Sequence, residues 1–268
     1  MPFVLFLASL VVAFSVLNFS ISAVVAIILT AILIYVVFSK TSSADYIYDE
    51  MAQGYIKLDG LIAIAFFTIK IVAFYIAGWA LNNARLYLGV PISLALLALV
   101  FVILRIKKQG LATIGLTSAN FGKSSLLGLS MSVPFIIRAA KMFHVEHFYS
   151  INFLYSVFFY LVVISFCEEV SFRGYIQTRL HGLIKSGPLA ILVGGLMFAT
   201  MHIPFQAAWA YFATGQTLMQ WIEPLQLLLW IWNHIIFVIM YRRFNSLAGP
   251  VIFHFFVNFS IIQPIFFV

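Results

Sequence analysis

The stretch "SINFLYSVFFYLVVISFCEEVSFRGYIQ", residues 150–177, decides how this chain folds. Residues 150–167 carry no Asp, Glu, Lys or Arg, and their apolar side chains run continuously instead of alternating. A continuous run of about 20 apolar residues is the length of a bilayer-crossing helix, whereas a strand of a membrane barrel would alternate with period two. Two adjacent glutamates, Glu168 and Glu169, close the run, and Arg173 follows one helical turn later. The whole chain has only eight acidic residues, so two side by side at the end of a hydrophobic segment call for a reason.

The same kind of run recurs along the chain. Candidate spans are 3–17, 20–38, 61–81, 87–104, 124–141, 150–167, 188–203, 225–241 and 247–267. The expected fold is all-α: a polytopic membrane helical bundle of about 8–9 transmembrane helices. Composition agrees, with 64% hydrophobic and 9% charged residues against roughly 25% charged in soluble domains, and a mean hydropathy of +1.09. The opening "MPFVLFLASLVVAF" lacks a basic n-region and continues into further apolar sequence, so it is read as a retained span and not a cleaved signal. The longest polar insertion is 39–60. No fixed-period repeat and no soluble domain is visible.

The formal net charge of +7 does not point to nucleic acid, because the basic residues fall between apolar runs. Orientation explains them better, since the side richer in Lys and Arg faces the cytoplasm. With nine spans, one side receives Lys40, Lys57, Arg105, Lys107, Lys108, Lys123, Arg173, Arg179, Lys185, Arg242 and Arg243, and the other Arg85, Arg138 and Lys141. That places "EEVSFR" at or just within the cytoplasmic side. The single cysteine, Cys167, excludes an internal disulfide and is read as a small packed residue.

An ionisable group at the centre of a span costs roughly 2.5–3.5 kcal/mol on insertion scales, which makes the exceptions informative. In a helix Glu169 and Arg173 stand at i and i+4, acid first, the favourable order for an ion pair. Glu168 is turned about 100° away. A carboxylate left in an apolar setting holds its proton more tightly, which suits a general base; the competing reading is a solvated helix end. In "FATMHIP" Phe198 and His202 are one turn apart, and in "HFFVN" so are His254 and Asn258. Each alone reads equally well as interhelical hydrogen bonding. Together they supply a carboxylate, two imidazoles and an amide, the equipment for activating a water and stabilising an oxyanion. Neither Gly-x-Ser-x-Gly nor His-Glu-x-x-His occurs, although two histidines and two glutamates leave zinc open in principle.

"EEVSFRGYIQ" resembles the Glu-Glu-x-x-x-Arg motif of the CAAX protease and bacteriocin-processing (CPBP, or Abi) family, "FATMHIP" its Phe-x-x-x-His motif, and "YRRFNSLAGPVIFHFFVN" its final His-x-x-x-Asn segment. "LATIGLTSANFGKS", 111–124, is similar to a loop that precedes the family's core. The likeness covers roughly 105–262, which divides the chain into variable N-terminal helices, 1–104, and a catalytic core, 105–268. It implies an intramembrane endopeptidase related to type II CAAX prenyl proteases, in a bacterial plasma membrane, with its site open to the cytosol. Glu168 and His202 would activate the water, His254 and Asn258 would stabilise the oxyanion, and Glu169 and Arg173 would support the site. The family is often labelled metalloprotease, but its best-understood members look glutamate-dependent, so no metal and no other cofactor is expected. The implied partners are a peptide or protein substrate and the bilayer, with no nucleic acid.

The competing class is a non-proteolytic adaptor of the same fold that regulates a membrane partner such as a sensor kinase, or a bacteriocin immunity protein. A transporter would show two related halves with broken helices, and none is apparent. Among weaker features, Lys70 sits mid-span and is expected to pair with an acid or to snorkel. His234 is expected to hydrogen-bond into the core, and His144, His147 and His181 to sit in solvated loops.

Overall fold

The computed structural model describes residues 54–84, 87–142, 151–215 and 224–262. Over these the chain is helical, with no strand. The helices are α1 (Lys57–Ala84), α2 (Gly89–Ile106), α3 (Phe121–Met142), α4 (Ile151–Leu180), α5 (Gly187–Thr214), α6 (Pro224–Phe244) and α7 (Ala248–Ile262). A short 3₁₀ turn, Leu111–Ile114, follows α2. The expected spans 3–17 and 20–38 lie outside the described residues, as do His144 and His147.

Among the described residues five helices are long and apolar enough to cross a bilayer: α1, α2, α4, α5 and α6, with α7 a shorter apolar helix. The expected span 124–141 does form a helix, α3, but it is not among the five. Ser124, Ser125, Ser130, Ser132 and Arg138 dilute its apolar character.

The chain divides into two compact units, with boundaries inside α4 after Phe166 and inside α6 after Ile239. The first contains α3, the front of α4 and α7. Here α3 and α7 cross on small residues. A Cβ added to Gly128 would meet the Gly249 carbonyl oxygen at 2.5 Å and its Cα at 2.9 Å, and one on Gly249 would meet the Ser124 carbonyl at 2.6 Å. Small residues let membrane helices approach closely enough for backbone contact. Ser124 uses that approach: its Oγ accepts from the Gly249 N–H (2.8 Å) and donates to the Ser246 carbonyl (3.2 Å). The Asn120 amide caps α6 by donating to the Phe244 carbonyl at 3.3 Å. Phe135 meets Phe253 edge to face, and Phe259 does the same with Phe153 and Tyr160, filling the space between α7, α3 and α4.

The second unit contains α1, α2, the rest of α4, α5 and most of α6. Its polar anchor is Arg179, fully buried. The guanidinium donates to the Thr113 carbonyl (3.0 Å), the Gly174 carbonyl (3.0 Å), Gln109 Oε1 (2.7 Å) and two threonine hydroxyls, and lies over the rings of Tyr55 and Tyr175. It thereby ties the segment after α2 to the end of α4. Beside it Asp59 pairs with Lys107 at 3.1 Å and accepts from the Ile56 N–H. Tyr55 lies ahead of α1 and donates to the Thr113 carbonyl; burial pushes its phenol above the ordinary value, against the pull of Arg179.

Three sequence expectations need correction here. Arg173 and Arg179, counted as residues of a basic side, are both fully enclosed. His181, expected in a solvated loop, is buried. Without the two arginines the charge tally still stands at nine against three.

The α3–α7 crossing makes a direct test. Gly128→Ala forces backbone apart from backbone and should cost about 1–3 kcal/mol, the range for overpacking. Gly122→Ala, on the same helix with nothing within 4 Å, should be neutral or stabilising by up to about 1 kcal/mol. Thermal unfolding in detergent, comparing the two variants with the wild type, checks both.

Candidate active site

The second half of α4 is not a regular α-helix. Phe159–Phe166 and Val170–Gln177 are wound with π-type i→i+5 bonding, and a single α-turn, Cys167–Glu169, lies between them. Such widened turns are rare and concentrate at functional sites. The α-turn between the two widened segments carries the two glutamates.

They have different surroundings. Glu169 Oε1 pairs with Arg173 at 3.0 Å, and both side chains are fully buried. The guanidinium is sandwiched, with its carbon 4.0 Å from the Phe198 ring centroid and 4.6 Å from that of Phe237. Cation–π contacts of this kind are worth about 2 kcal/mol when desolvated. Glu168 instead faces His202, with Oε2 3.9 Å from Nε2 and both side chains 14% exposed. That separation exceeds hydrogen-bond length. It is a spacing that a small third group can bridge.

His202 is held on every side that can be named. Its Nδ1 lies 2.7 Å from the Phe198 carbonyl; a carbonyl only accepts, so Nδ1 bears the proton and, in the neutral ring, Nε2 turns its lone pair toward Glu168. Trp230 stacks on one face of the ring at 4.8 Å and 18°, and Phe198 meets it edge-on at 4.6 Å. Two residues further along α5, Pro204 has no N–H to offer the Thr200 carbonyl.

Behind the site, His234 Nε2 donates to Gln177 Oε1 at 2.9 Å, and both residues are fully buried. A Cβ on Gly194 would collide with this pair, 2.8 Å from the His234 nitrogen, so only glycine leaves room for it. His234 therefore does bond into the core. Cys167 is free and buried, as its size and setting implied.

The remaining two candidates, His254 and Asn258, lie in the first unit, one turn apart on α7. His254 is buried and Asn258 half-buried. The geometry thus brings Glu168 to His202 and Glu169 to Arg173, and keeps His254 and Asn258 on one stretch of helix. Trp230 and the central position of Phe198 were not read from the sequence. Trp230 stands four residues before His234 in "WIWNHIIF", a spacing that gave no sign of its stacking partner on α5. Among the described residues no three His, Cys, Asp or Glu side chains gather as a metal ion would require. Zinc sites use three or four protein ligands, and Glu168 with His202 supplies two.

The segment that carries these residues also matches a known family model, that of the Type II CAAX prenyl endopeptidase Rce1-like domain, over residues 150–260. Residues 150–260 are thus similar to that domain. All six candidate residues fall inside it. Nothing among curated proteins or solved structures matches the chain. Five apolar helices among the described residues, together with the likeness to a membrane-protease family, make the chain a multi-pass membrane protein.

The buried pair predicts a particular pattern of stability. Arg173→Met strands the Glu169 charge and should cost roughly 3–5 kcal/mol, whereas the double change Glu169→Leu with Arg173→Met should recover most of it. Unfolding of the four proteins as a double-mutant cycle measures this directly.

Proposed function

We propose that this protein is a membrane-embedded endopeptidase that uses Glu168 as general base and His202 as its partner in holding the attacking water. The observation that carries the reading is the contrast between two adjacent glutamates: Glu169 is enclosed with its arginine, while Glu168, partly exposed, stands 3.9 Å from a histidine whose orientation is fixed. A water between Oε2 and Nε2 would give its proton to Glu168 as its oxygen attacks the scissile carbonyl carbon. The carbonyl becomes an oxyanion, the C–N bond then breaks, and the proton passes on to the leaving amine. By resemblance, His254 and Asn258 serve as the oxyanion donors. Glu169 and Arg173 support the turn that presents Glu168.

Of the peptide substrates open to such an enzyme, a prenylated CAAX protein, a bacteriocin leader or a signalling peptide, the description of the matched family model supports a prenylated peptide of the CAAX type, cut near the cytoplasmic membrane face. The lysine and arginine asymmetry supports that face. The reaction is read as metal-free by resemblance to the glutamate-dependent members of the family.

The test is cleavage of a farnesylated CAAX peptide by the full-length protein in proteoliposomes. Glu168→Gln should lower the rate by about 10²–10⁴, the usual contribution of a positioned general base, with insertion and unfolding temperature unchanged. A Glu168→Gln variant that keeps its physiological role at full strength would instead favour the adaptor reading. Exhaustive chelation should leave the rate unchanged; complete loss restored by zinc would overturn the metal-free mechanism.

A further inference from the structure

Lys70 lies near the middle of α1, thirteen residues after Lys57 and fourteen before Ala84, so roughly 20 Å of helix separates it from either end. Snorkelling works close to an interface, and this lysine is only 2% exposed. Its ammonium points into the second unit, where Nζ donates to Ser171 Oγ at 2.8 Å and lies 5.5 Å from the Phe74 ring. Ser171 Oγ is in turn 2.7 Å from the Cys167 carbonyl and 3.3 Å from the Glu168 carbonyl. With Oγ accepting from lysine, the hydroxyl proton goes to the nearer carbonyl, that of Cys167. Lys70 thus grips, through one serine, the α-turn that carries Glu168.

A serine hydroxyl does not compensate a buried ammonium, which needs an opposite charge. Ser171, which takes its hydrogen bond, lies three residues after Glu168 and two after Glu169 on α4, and of the nearby charges that of Glu168 bears on the ammonium most strongly. Glu169 is already matched by Arg173 at 3.0 Å. Glu169 with Arg173 is one neutral pair, and Glu168 is the other carboxylate of the same α-turn. His202 faces Glu168 at 3.9 Å, and the charges of Lys70 and Arg173 and the Cys167 thiol also act on it electrostatically.

We infer that Lys70 is the positioning residue and counter-charge of Glu168: through Ser171 it fixes the glutamate's turn, and by its charge it keeps the carboxylate ionised and able to accept a proton. This rests on the reading of Glu168 as base. It also answers how a carboxylate in an apolar segment stays charged at neutral pH, which His202, neutral when it holds a water, does not.

Two measurements on the full-length protein in proteoliposomes test it. The first needs no substrate: infrared difference spectra of protein with isotope-labelled glutamate, with the Glu168 bands assigned against Glu168→Gln. The expected result at neutral pH is an ionised carboxylate in the wild type and in Lys70→Arg, and a protonated carbonyl band in Lys70→Met. The second uses the farnesylated CAAX peptide as probe. Lys70→Met should lower kcat by about a hundredfold, comparable to a lost general base, with KM nearly unchanged, and Lys70→Arg should restore most of it. Ser171→Ala should show a smaller fall in kcat.

An ionised Glu168 in Lys70→Met would overturn the inference. So would a raised KM with kcat intact, which would make Lys70 a binder of the substrate carboxylate. Equal loss of kcat and of unfolding temperature in the Met and Arg variants would reduce it to packing. If the wild type cleaves no peptide, the endopeptidase reading fails, and the infrared result still decides whether Lys70 is the counter-charge.

Discussion

The enclosed ion pair between Arg173 and Glu169 is the constraint from which the rest of the candidate site follows. No water reaches either side chain, so the arginine must be satisfied by what surrounds it: one carboxylate and the faces of Phe198 and Phe237. Phe198 is thereby fixed in place. Its carbonyl then receives His202 Nδ1, its ring edge packs against the same imidazole, and its ring also lies beside His234. A buried pair of this kind contributes little net stability compared with apolar residues of the same volume. What it contributes here is position, because each neighbour of the pair has one arrangement that leaves no charge stranded.

The membrane sharpens this logic. In water an acidic pair at a helix end would be screened and its geometry loose; in an apolar surrounding every charge must find its opposite. The second unit therefore separates its charges by task. Arg179 and its threonine, glutamine and tyrosine partners join the segment after α2 to the end of α4. Arg173 and Glu169 brace the widened turn of α4. Glu168 and His202 retain partial exposure.

Much of this was legible from the residues in order. The i, i+4 spacing of Glu169 and Arg173 predicts their pairing, because a helical turn brings those two side chains together whatever else the chain does. By the same local geometry Glu168 points elsewhere. The apolar runs predict helices, and α1, α2, α4, α5 and α6 have the length and composition to cross a membrane. The serines of α3 show where hydropathy alone was too coarse: 124–141 forms a helix, but one whose small polar face serves contact with α7, as the Ser124 and Gly249 hydrogen bond shows. His181 and Arg179 were misplaced for a related reason. A polar residue between two apolar runs looks like a loop residue until the partners that bury it are known.

The sequence by itself determined the helical membrane class and the pairing of Glu169, not Glu168, with Arg173, because both depend on period and on neighbours within one turn. Only the tertiary structure decided what surrounds the turn that carries Glu168. His202 arrives from α5, Trp230 from α6 to stack on it, and Lys70 from α1, its Ser171 partner 101 residues away in the chain. Contacts at such separations leave no periodic trace, since they are set by how helices pack and by the requirement that each buried charge be neutralised across that packing.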